Sequence, residues 1–140
     1  MIQMAILKRR LRPGKSYDDF RRVWYHTVGF GTGNRMFSAI NVADPREIIV
    51  IGLNETTIED IRRLIAIDRE ERGANPLDEV IEPEIDRTFG IVVAEDDFSS
   101  SSALEYKPAS IKGRETNMTE VMGALKSGAE LLRELYSDHA

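Results

Sequence analysis

The stretch Arg46-Glu47-Ile48-Ile49-Val50-Ile51-Gly52-Leu53 decides the fold of this chain. Four consecutive aliphatic residues follow a charged pair and end at a glycine. A strand with one face in water alternates apolar and polar residues, whereas an unbroken apolar run is typical of a central strand that is covered on both faces. Other elements must therefore pack against both faces of the sheet around this strand.

The chain before this strand predicts one strand and one helix. Gln3–Leu11 begins with four apolar residues and then becomes charged, and Pro13-Gly14 ends this first strand with a turn. Ser16 precedes Asp19 in the pattern of a capping box, which predicts a helix start. Helical spacing then places several apolar residues on one stripe that can pack on the sheet, namely Tyr17, Phe20, Val23, Trp24 and Thr27.

The remaining elements complete a regular order. Met36–Val42 predicts a second strand, joined to Ile48–Leu53 by a short hairpin connection at Asp44-Pro45. A second helix is expected to begin at Thr57 with Asp60 in its first turn, and Ile85–Ala94 predicts a fourth strand that is buried on both faces. The order strand, helix, strand, strand, helix, strand predicts an α+β, ferredoxin-like fold, with both helices on one face of a four-stranded antiparallel sheet.

The second face of this sheet has no predicted cover within the domain. Met4–Leu7, Ile48–Ile51 and Ile91–Val93 place apolar residues on both faces. About six such side chains at ~1.5–3 kcal/mol each give an incentive on the order of 10 kcal/mol to pair two sheets before association costs. We therefore expect a homodimer or a higher homo-oligomer.

The sequence changes character after Phe98. Four serines, Ser99 to Ser102, indicate a flexible linker, so we expect a domain over residues 1–98 and a serine-rich linker and arm over 99–116. Asn117 precedes Glu120 in a third capping pattern and predicts a C-terminal amphipathic helix over residues 117–140. Its apolar stripe consists of Val121, Leu125, Gly128, Leu132 and Leu135, which is expected to pack on the body of the subunit or on a partner.

Composition narrows the class of protein. The 140-residue chain contains no cysteine, which excludes disulfides and thiolate metal sites, and its net charge of −5 argues against general nucleic-acid binding. The apolar run at the N-terminus is too short to cross a membrane, so we expect a cytoplasmic protein without a membrane partner. Basic residues concentrate early, from Lys8, Arg9 and Arg10 onward, and acidic residues later, which we interpret mainly as solvated surface.

The element order, the two-faced strands and the helix segment Phe20-Arg21-Arg22-Val23-Trp24-Tyr25-His26 resemble the dimeric α+β barrel superfamily over residues 2–98. That superfamily includes EthD-like proteins, cofactor-free monooxygenases of antibiotic biosynthesis, muconolactone isomerase-like proteins and polyketide cyclases. The resemblance implies a ferredoxin-like dimeric barrel and a monooxygenase, isomerase or cyclase acting on a small aromatic or polyketide-like substrate. EthD-like proteins tend to place a histidine about one turn beyond a Phe and a Trp on this helix, whereas His26 follows Trp24 by two positions.

A few residues are candidates for such chemistry. His26 is the predicted acid–base group, and Tyr17, Phe20 and Trp24 are the predicted aromatic walls of a pocket between helix and sheet. Two further residues near the ends of the second strand, Arg35 and Asn41, are predicted to orient a substrate carbonyl or carboxylate. Ordinary core packing is the favoured explanation of the aromatic stripe, and residues such as Arg35 and Asn41 more often lie on the solvent-exposed surface.

Other motifs are weaker. Glu82, Glu84 and Asp86 alternate around Pro83 and present carboxylates suited to Mg²⁺ or Ca²⁺, although a solvated acidic edge is favoured, and no metal is expected. The glycine-rich stretch 29–33 follows a helix and precedes a strand, which is the reverse of a nucleotide-binding fingerprint. Some members of the superfamily bind haem, but the chain has no haem motif, so we expect no cofactor. The leading hypothesis is thus a small-molecule enzyme, and the alternative is a non-catalytic ligand-binding or assembly protein that oligomerises through its C-terminal helix.

Overall fold

A computed structural model describes residues 1–24, 29–31, 33–74 and 77–136. These residues form two compact units, Met1–Gly90 and Ile91–Ala140. The elements in chain order are β1 Ile2–Arg10, α1 Tyr17–Trp24, β2 Gly33–Asn41, β3 Asp44–Glu55, a 3₁₀ turn Ile58–Asp60, α2 Ile61–Ala74, β4 Asp86–Ile91, β5 Ser110–Ile111, β6 Arg114–Glu115 and α3 Met118–Tyr136.

The first four strands form one antiparallel sheet in the order β2-β3-β1-β4. β3 lies in the middle, where Ile51 faces Ile6 of β1 on one side and Phe37 of β2 on the other. Each helix therefore connects two strands that are separated by a third strand, which is the ferredoxin-like arrangement. The predicted α+β fold is confirmed.

One face of the sheet, which we call the inner face, packs against α1. Ile48 and Val50 on β3 are 0 % and 2 % exposed and belong to one core cluster with Phe20 and Trp24 of α1. Leu7, Leu11 and a turn after α2 complete the cluster through Leu77, Val80 and Ile81. The predicted stripe on α1 is confirmed for Tyr17, Phe20, Val23 and Trp24, and Thr27 lies outside the described residues.

The opposite face, which we call the outer face, carries the alternate residues of the same strands. Side chains that are directly opposite in antiparallel strands share a face, so three rows can be read from the register. The large apolar members of these rows are Met4, Ile6, Phe37, Ile49, Ile51 and Leu53. Phe37 is 48 % exposed, and the other five are half-buried. The unbroken run at Ile48–Ile51 thus supplies both faces, as predicted.

The prediction that the fourth strand is buried on both faces is wrong for the single chain. β4 ends at Ile91, and most of its residues are exposed, including Phe89 at 38 %. The strand order explains the difference, because β4 forms an edge of the sheet and has a neighbour on one side only. The strand does not extend to Val92 and Val93.

The hairpin between β2 and β3 turns earlier than predicted. Its two turn residues are Val42 and Ala43, whereas Asp44 and Pro45 already belong to β3. The side-chain oxygen of Asn41 accepts a hydrogen bond from the Ala43 N–H at 2.8 Å, which fixes the turn locally. The predicted connection at Asp44-Pro45 is therefore displaced by two residues.

The first two of the three predicted capping patterns behave differently. At α1 the Ser16 N–H donates to Asp19 Oδ2 at 2.8 Å, and the Asp19 N–H donates back to Ser16 Oγ at 3.3 Å, so the predicted capping box is confirmed. At the second helix Thr57 makes no side-chain cap. Asp60 instead accepts two hydrogen bonds from Arg63, at 2.9 and 2.7 Å. The charge-assisted hydrogen bonds from Arg63 are stronger than a cap, so the Asp60 carboxylate binds Arg63 and not the helix N-terminus.

The unit from Ile91 contains an unpredicted hairpin. β5 and β6 pair around Lys112 and Gly113, both with positive φ, within the stretch expected to form an extended arm. α3 then begins as predicted, since Asn117 Oδ1 accepts the Glu120 N–H at 3.1 Å.

The buried positions of α3 differ in part from the predicted stripe. Val121 and Leu131 are the buried residues of the helix, whereas Leu125 is 42 % exposed. Within the described ranges no helix combines the length and apolar content that crossing a membrane requires.

Candidate functional site

α1 places three aromatic rings on the inner face of the sheet. The ring centroids of Tyr17 and Phe20 lie 5.9 Å apart, and those of Phe20 and Trp24 lie 5.7 Å apart with an interplanar angle of 18°. Phe20 is 0 % exposed and Trp24 is 9 % exposed, whereas Tyr17 is half-buried. Phe20 therefore anchors the core, and Tyr17 and Trp24 mark the two ends of the stripe.

Arg72 of α2 contacts the C-terminal end of α1. Its guanidinium carbon lies 5.6 Å from the centroid of the Trp24 ring, and its terminal nitrogens donate to the carbonyl oxygens of Val23 and Trp24 at 3.4 and 3.1 Å. A cation is favoured there because the last carbonyls of a helix carry partial negative charge. Burial lowers the pKa of Arg72, while Asp68 and Glu71 partly offset that effect.

Arg9 lies on the inner face of a central strand, which is unusual for a charged residue. It faces Ile48 across the β1–β3 ladder and alternates with Leu7 and Leu11, which pack in or against the core. Burial is the main cause that lowers its pKa to about 10, and repulsion from Arg87 and Arg72 lowers it further, against smaller contributions from Asp78 and Asp68. The sequence-based interpretation of Arg9 as solvated surface is wrong.

Two of these arginines have a buried nitrogen without an acceptor. Within the described ranges no protein atom accepts a hydrogen bond from Nε of Arg9 or from Nε of Arg72. Such buried donors are rare, because an unmade hydrogen bond to a charged group is costly. The alternation Leu7, Arg9, Leu11 is the sequence signal that points to Arg9, but nothing in the sequence links Arg9 to Arg72.

The other predicted site residues are not brought together with the aromatic stripe. His26 lies outside the described residues. Arg35 pairs with Leu53 on the outer face, where its guanidinium lies 5.2 Å from the Phe37 ring centroid. Asn41 holds the β2–β3 turn and also donates to Glu47 at 3.1 Å. Tyr17, Phe20 and Trp24 thus share the inner face, and Arg35 does not.

The acidic segment after α2 is engaged with basic strand residues. Glu82 accepts a hydrogen bond from Arg46 at 2.9 Å and lies 3.9 Å from Arg10. Arg10 also forms an ion pair with Asp44. In the part of the chain that the structure describes, no group of three or more acidic or histidine side chains is arranged to hold a metal ion. Glu82 therefore joins β1, β3 and the segment before β4.

The glycine-rich stretch between α1 and β2 is tied to α2. Arg63, whose carboxylate partner is Asp60, also donates to the carbonyl oxygen of Phe30 at 2.7 Å. Gly31 has a φ of +75°, a left-handed conformation that favours glycine. Thr32 lies outside the described residues. The stretch leads from a helix into a strand, as the sequence predicted.

Comparison with known proteins shows a similarity at the level of the fold. No protein-family model matches the sequence, and no curated protein matches it significantly. A solved structure from Chloroflexus aurantiacus J-10-fl, described as a candidate antibiotic biosynthesis monooxygenase, is similar with a TM-score of 0.46 and 14 % identity, over 66 % of this chain and 95 % of that one. The ferredoxin-like fold of this chain follows from its own element and strand order.

Proposed function

We propose that this protein is a small-molecule enzyme that binds a small aromatic or polyketide-like substrate on the inner face, at the end of α1. The observation that carries the proposal is the position of Trp24. Its ring stacks on the core through Phe20 and lies under the Arg72 guanidinium, so an aromatic surface and a cation meet at one place. A flat molecule with a polarised oxygen matches both groups.

The proposed chemistry is proton transfer, with His26 as the acid–base group. His26 follows Trp24 by two residues in the sequence, and a histidine is suited to exchanging protons near neutral pH. Proton removal beside a carbonyl or from a phenol is a first step shared by isomerisation, cyclisation and cofactor-free oxygenation. The proposal therefore names the proton transfer, and the substrate determines which reaction follows it.

The test begins with any small molecule that stays bound to the protein when it is purified from the cells that produce it. The purified full chain is denatured, the released small molecules are identified by mass, and their conversion by fresh protein is followed. We expect His26→Ala to lower turnover by about 10²-fold or more, which is typical for the loss of a general acid or base. The matched control is His139→Ala, since His139 is the second of the two histidines. Full turnover by His26→Ala would remove the proposed role.

The partner in this proposal is a second copy of the chain, paired through the outer face. Six apolar side chains lie together there, and Phe37 in particular is 48 % exposed. Charged residues flank this patch on the same face, with Arg35 beside Phe37 and Lys8 facing Ile49. An apolar centre with a charged rim is the usual composition of a protein interface.

A second candidate function is favoured by one feature of α3. Met118, Met122 and Leu125 are 48 %, 60 % and 42 % exposed and recur at helical spacing. An exposed apolar stripe of this kind suits an assembly protein that joins copies through its C-terminal helix. In that case the inner-face residues serve packing alone.

Two variants separate the candidates. Met122→Glu combined with Leu125→Glu places charges on the stripe, and Lys126→Glu on the same exposed helix is the control for added negative charge. The assembly hypothesis predicts a smaller oligomer for the double variant only. Unchanged mass, with the ligand still bound, would leave the enzyme as the better account.

A further inference from the structure

We propose that Arg9, Arg72 and Arg87 form a binding site for the carboxylate group of a small organic acid. The inference deepens the proposed function, because it rests on the substrate lying on the inner face beside Trp24, and it adds the chemical class of the group that is recognised. Three elements contribute one arginine each, namely β1, α2 and β4.

The backbone places Arg9 and Arg87 on the same face of neighbouring strands. Arg9 shares the inner face with Ile48, and β4 borders β1 in the sheet. A side chain at Gly90 would point to the methyl group of Met4, 3.7 Å away, and Met4 lies on the outer face opposite Leu53. Side chains alternate along a strand, so Arg87, three residues earlier, points to the inner face.

Arg72 reaches this face from α2. It bonds the last carbonyls of α1 and lies over Trp24, whose ring belongs to the inner-face core. Its charge and that of Arg87 both lower the pKa of Arg9, in agreement with their position on the same face. Asp68, Asp78 and Glu71 supply negative charge nearby, but none of them accepts a hydrogen bond from Nε of Arg9 or Arg72.

The unused donors define what the site recognises. A guanidinium presents Nε and a terminal nitrogen in a planar fork that matches the two oxygens of a carboxylate. In Arg9 the buried Nε donor has no hydrogen-bond acceptor among the described residues. The buried Nε of Arg72 also makes no hydrogen bond there, and Asp68 Oδ1 lies 3.9 Å from it as an ion-pair partner. A carboxylate placed between Arg9 and Arg72 would accept these hydrogen bonds and reduce the repulsion among the three cations.

A carboxylate fits these surroundings better than a phosphate. Phosphate sites generally use the backbone N–H groups at a helix N-terminus or a glycine-rich loop that opens a helix. Arg72 instead lies in the last turn of α2, at the negative end of its dipole. Two aromatic side chains lie nearby, Trp24 on α1 and Phe89, which is two residues from Arg87 on the same side of β4. The expected ligand therefore has one compact, singly charged end and an apolar body.

The chain contains a single tryptophan, and it lies at this site, so ligand binding can be measured without knowledge of the reaction. Benzoate is titrated into the full-length protein while Trp24 fluorescence is recorded at constant ionic strength. Benzamide, which has the same shape without the charge, is the matched probe. We expect a saturable change with benzoate and binding at least about tenfold weaker with benzamide.

Substitutions then assign the binding to the arginines. Arg9→Gln and, separately, Arg87→Gln are expected to weaken benzoate binding by about tenfold or more, whereas Arg22→Gln, which removes an exposed charge from α1, leaves it unchanged. Both variants leave Arg72 and its hydrogen bonds to α1 in place. Arg87 lies on an edge strand, and the Nε of Arg9 makes no hydrogen bond among the described residues. Melting curves of each variant verify that the domain is folded.

The outcomes distinguish the two proposals. Equal binding of benzoate and benzamide, or wild-type binding of benzoate by folded Arg9→Gln and Arg87→Gln, would overturn the carboxylate site while leaving an aromatic pocket beside Trp24 in place. The absence of any change in Trp24 fluorescence with both probes would overturn both the carboxylate site and the proposed substrate site.

Discussion

Replacing Phe37 tests the pairing of two outer faces with little cost to the single chain. Phe37 lies on the edge strand β2, is 48 % exposed, and faces Ile51 on β3. Full burial of such a side chain is worth ~1.5–3 kcal/mol, and about half of it is still available for burial, which gives about 1 kcal/mol per copy. A two-fold pair loses this twice, so Phe37→Ala should weaken the dimer by about 2 kcal/mol, or roughly 30-fold.

A charge at the same position should have a larger effect. Phe37→Glu places two carboxylates in an apolar interface, where an unpaired charge costs several kcal/mol, so we expect dissociation at least roughly a thousandfold easier than in the wild type. Mass is measured by sedimentation equilibrium over a dilution series. Ser38→Glu is the control, since Ser38 is the next residue on β2, is also exposed, and points to the other face. Wild-type mass for a folded Phe37→Glu protein would refute the proposed interface.

Two further predictions concern stability. In urea denaturation at neutral pH, Arg9→Met should raise the free energy of unfolding by on the order of 1–2 kcal/mol. This value allows for the solvent that screens the charge of a half-exposed guanidinium. The pKa of Arg9 is lowered to about 10, so the penalty for its charge is present at every pH below that value and decreases as the pH rises further toward the ordinary pKa of a guanidinium; a less stable Arg9→Met would contradict this. Ser16→Ala should lower the stability by about 1 kcal/mol through loss of the α1 cap. The Ser16 N–H and hydroxyl both donate to the Asp19 carboxylate and lower its pKa, and the N–H is retained in Ser16→Ala. The contribution of the hydroxyl to Asp19 is present above pH 3.8 and is lost as the pH falls through the lowered value, so the stability difference between wild type and Ser16→Ala should narrow in acid; a difference that stays constant with pH would argue against it.

The strands and their order were predictable because the relevant signals are local. The apolar run at Ile48–Ile51 identifies a central strand on its own, and the Ser16–Asp19 pair identifies the start of α1. Once two helices alternate with four strands, few topologies remain, and the ferredoxin-like one is common among them. The observed sheet order agrees with that expectation.

The features that the sequence did not predict depend on partners that are distant along the chain. Asp60 was assigned to a helix cap, but Arg63 is a stronger competitor for its carboxylate. The β5–β6 hairpin is only two residues long on each side, so its strands carry no periodic pattern, and only the Lys112-Gly113 turn marks it.

The candidate site shows the same limit more strongly. Arg9 follows Lys8 and precedes Arg10, so the local sequence indicates a charged strand end that leaves the core. Its inner-face position becomes evident only from its pairing with Ile48, and its neighbours Arg72 and Arg87 come from two later elements. The position of Arg35 near a strand end predicts a role in the site, but side chains alternate between the two faces along a strand, and Arg35 pairs with Leu53 on the outer face.

Native mass spectrometry of the purified protein, followed by denaturing release of whatever is bound, tests the central claim most directly. The claim is that one face of the sheet pairs with a second copy while the other face, beside Trp24 and the three arginines, holds a small molecule. We predict a dimer that carries a small organic acid in a fixed ratio to the chain. A monomer without any bound molecule would contradict both parts of the account.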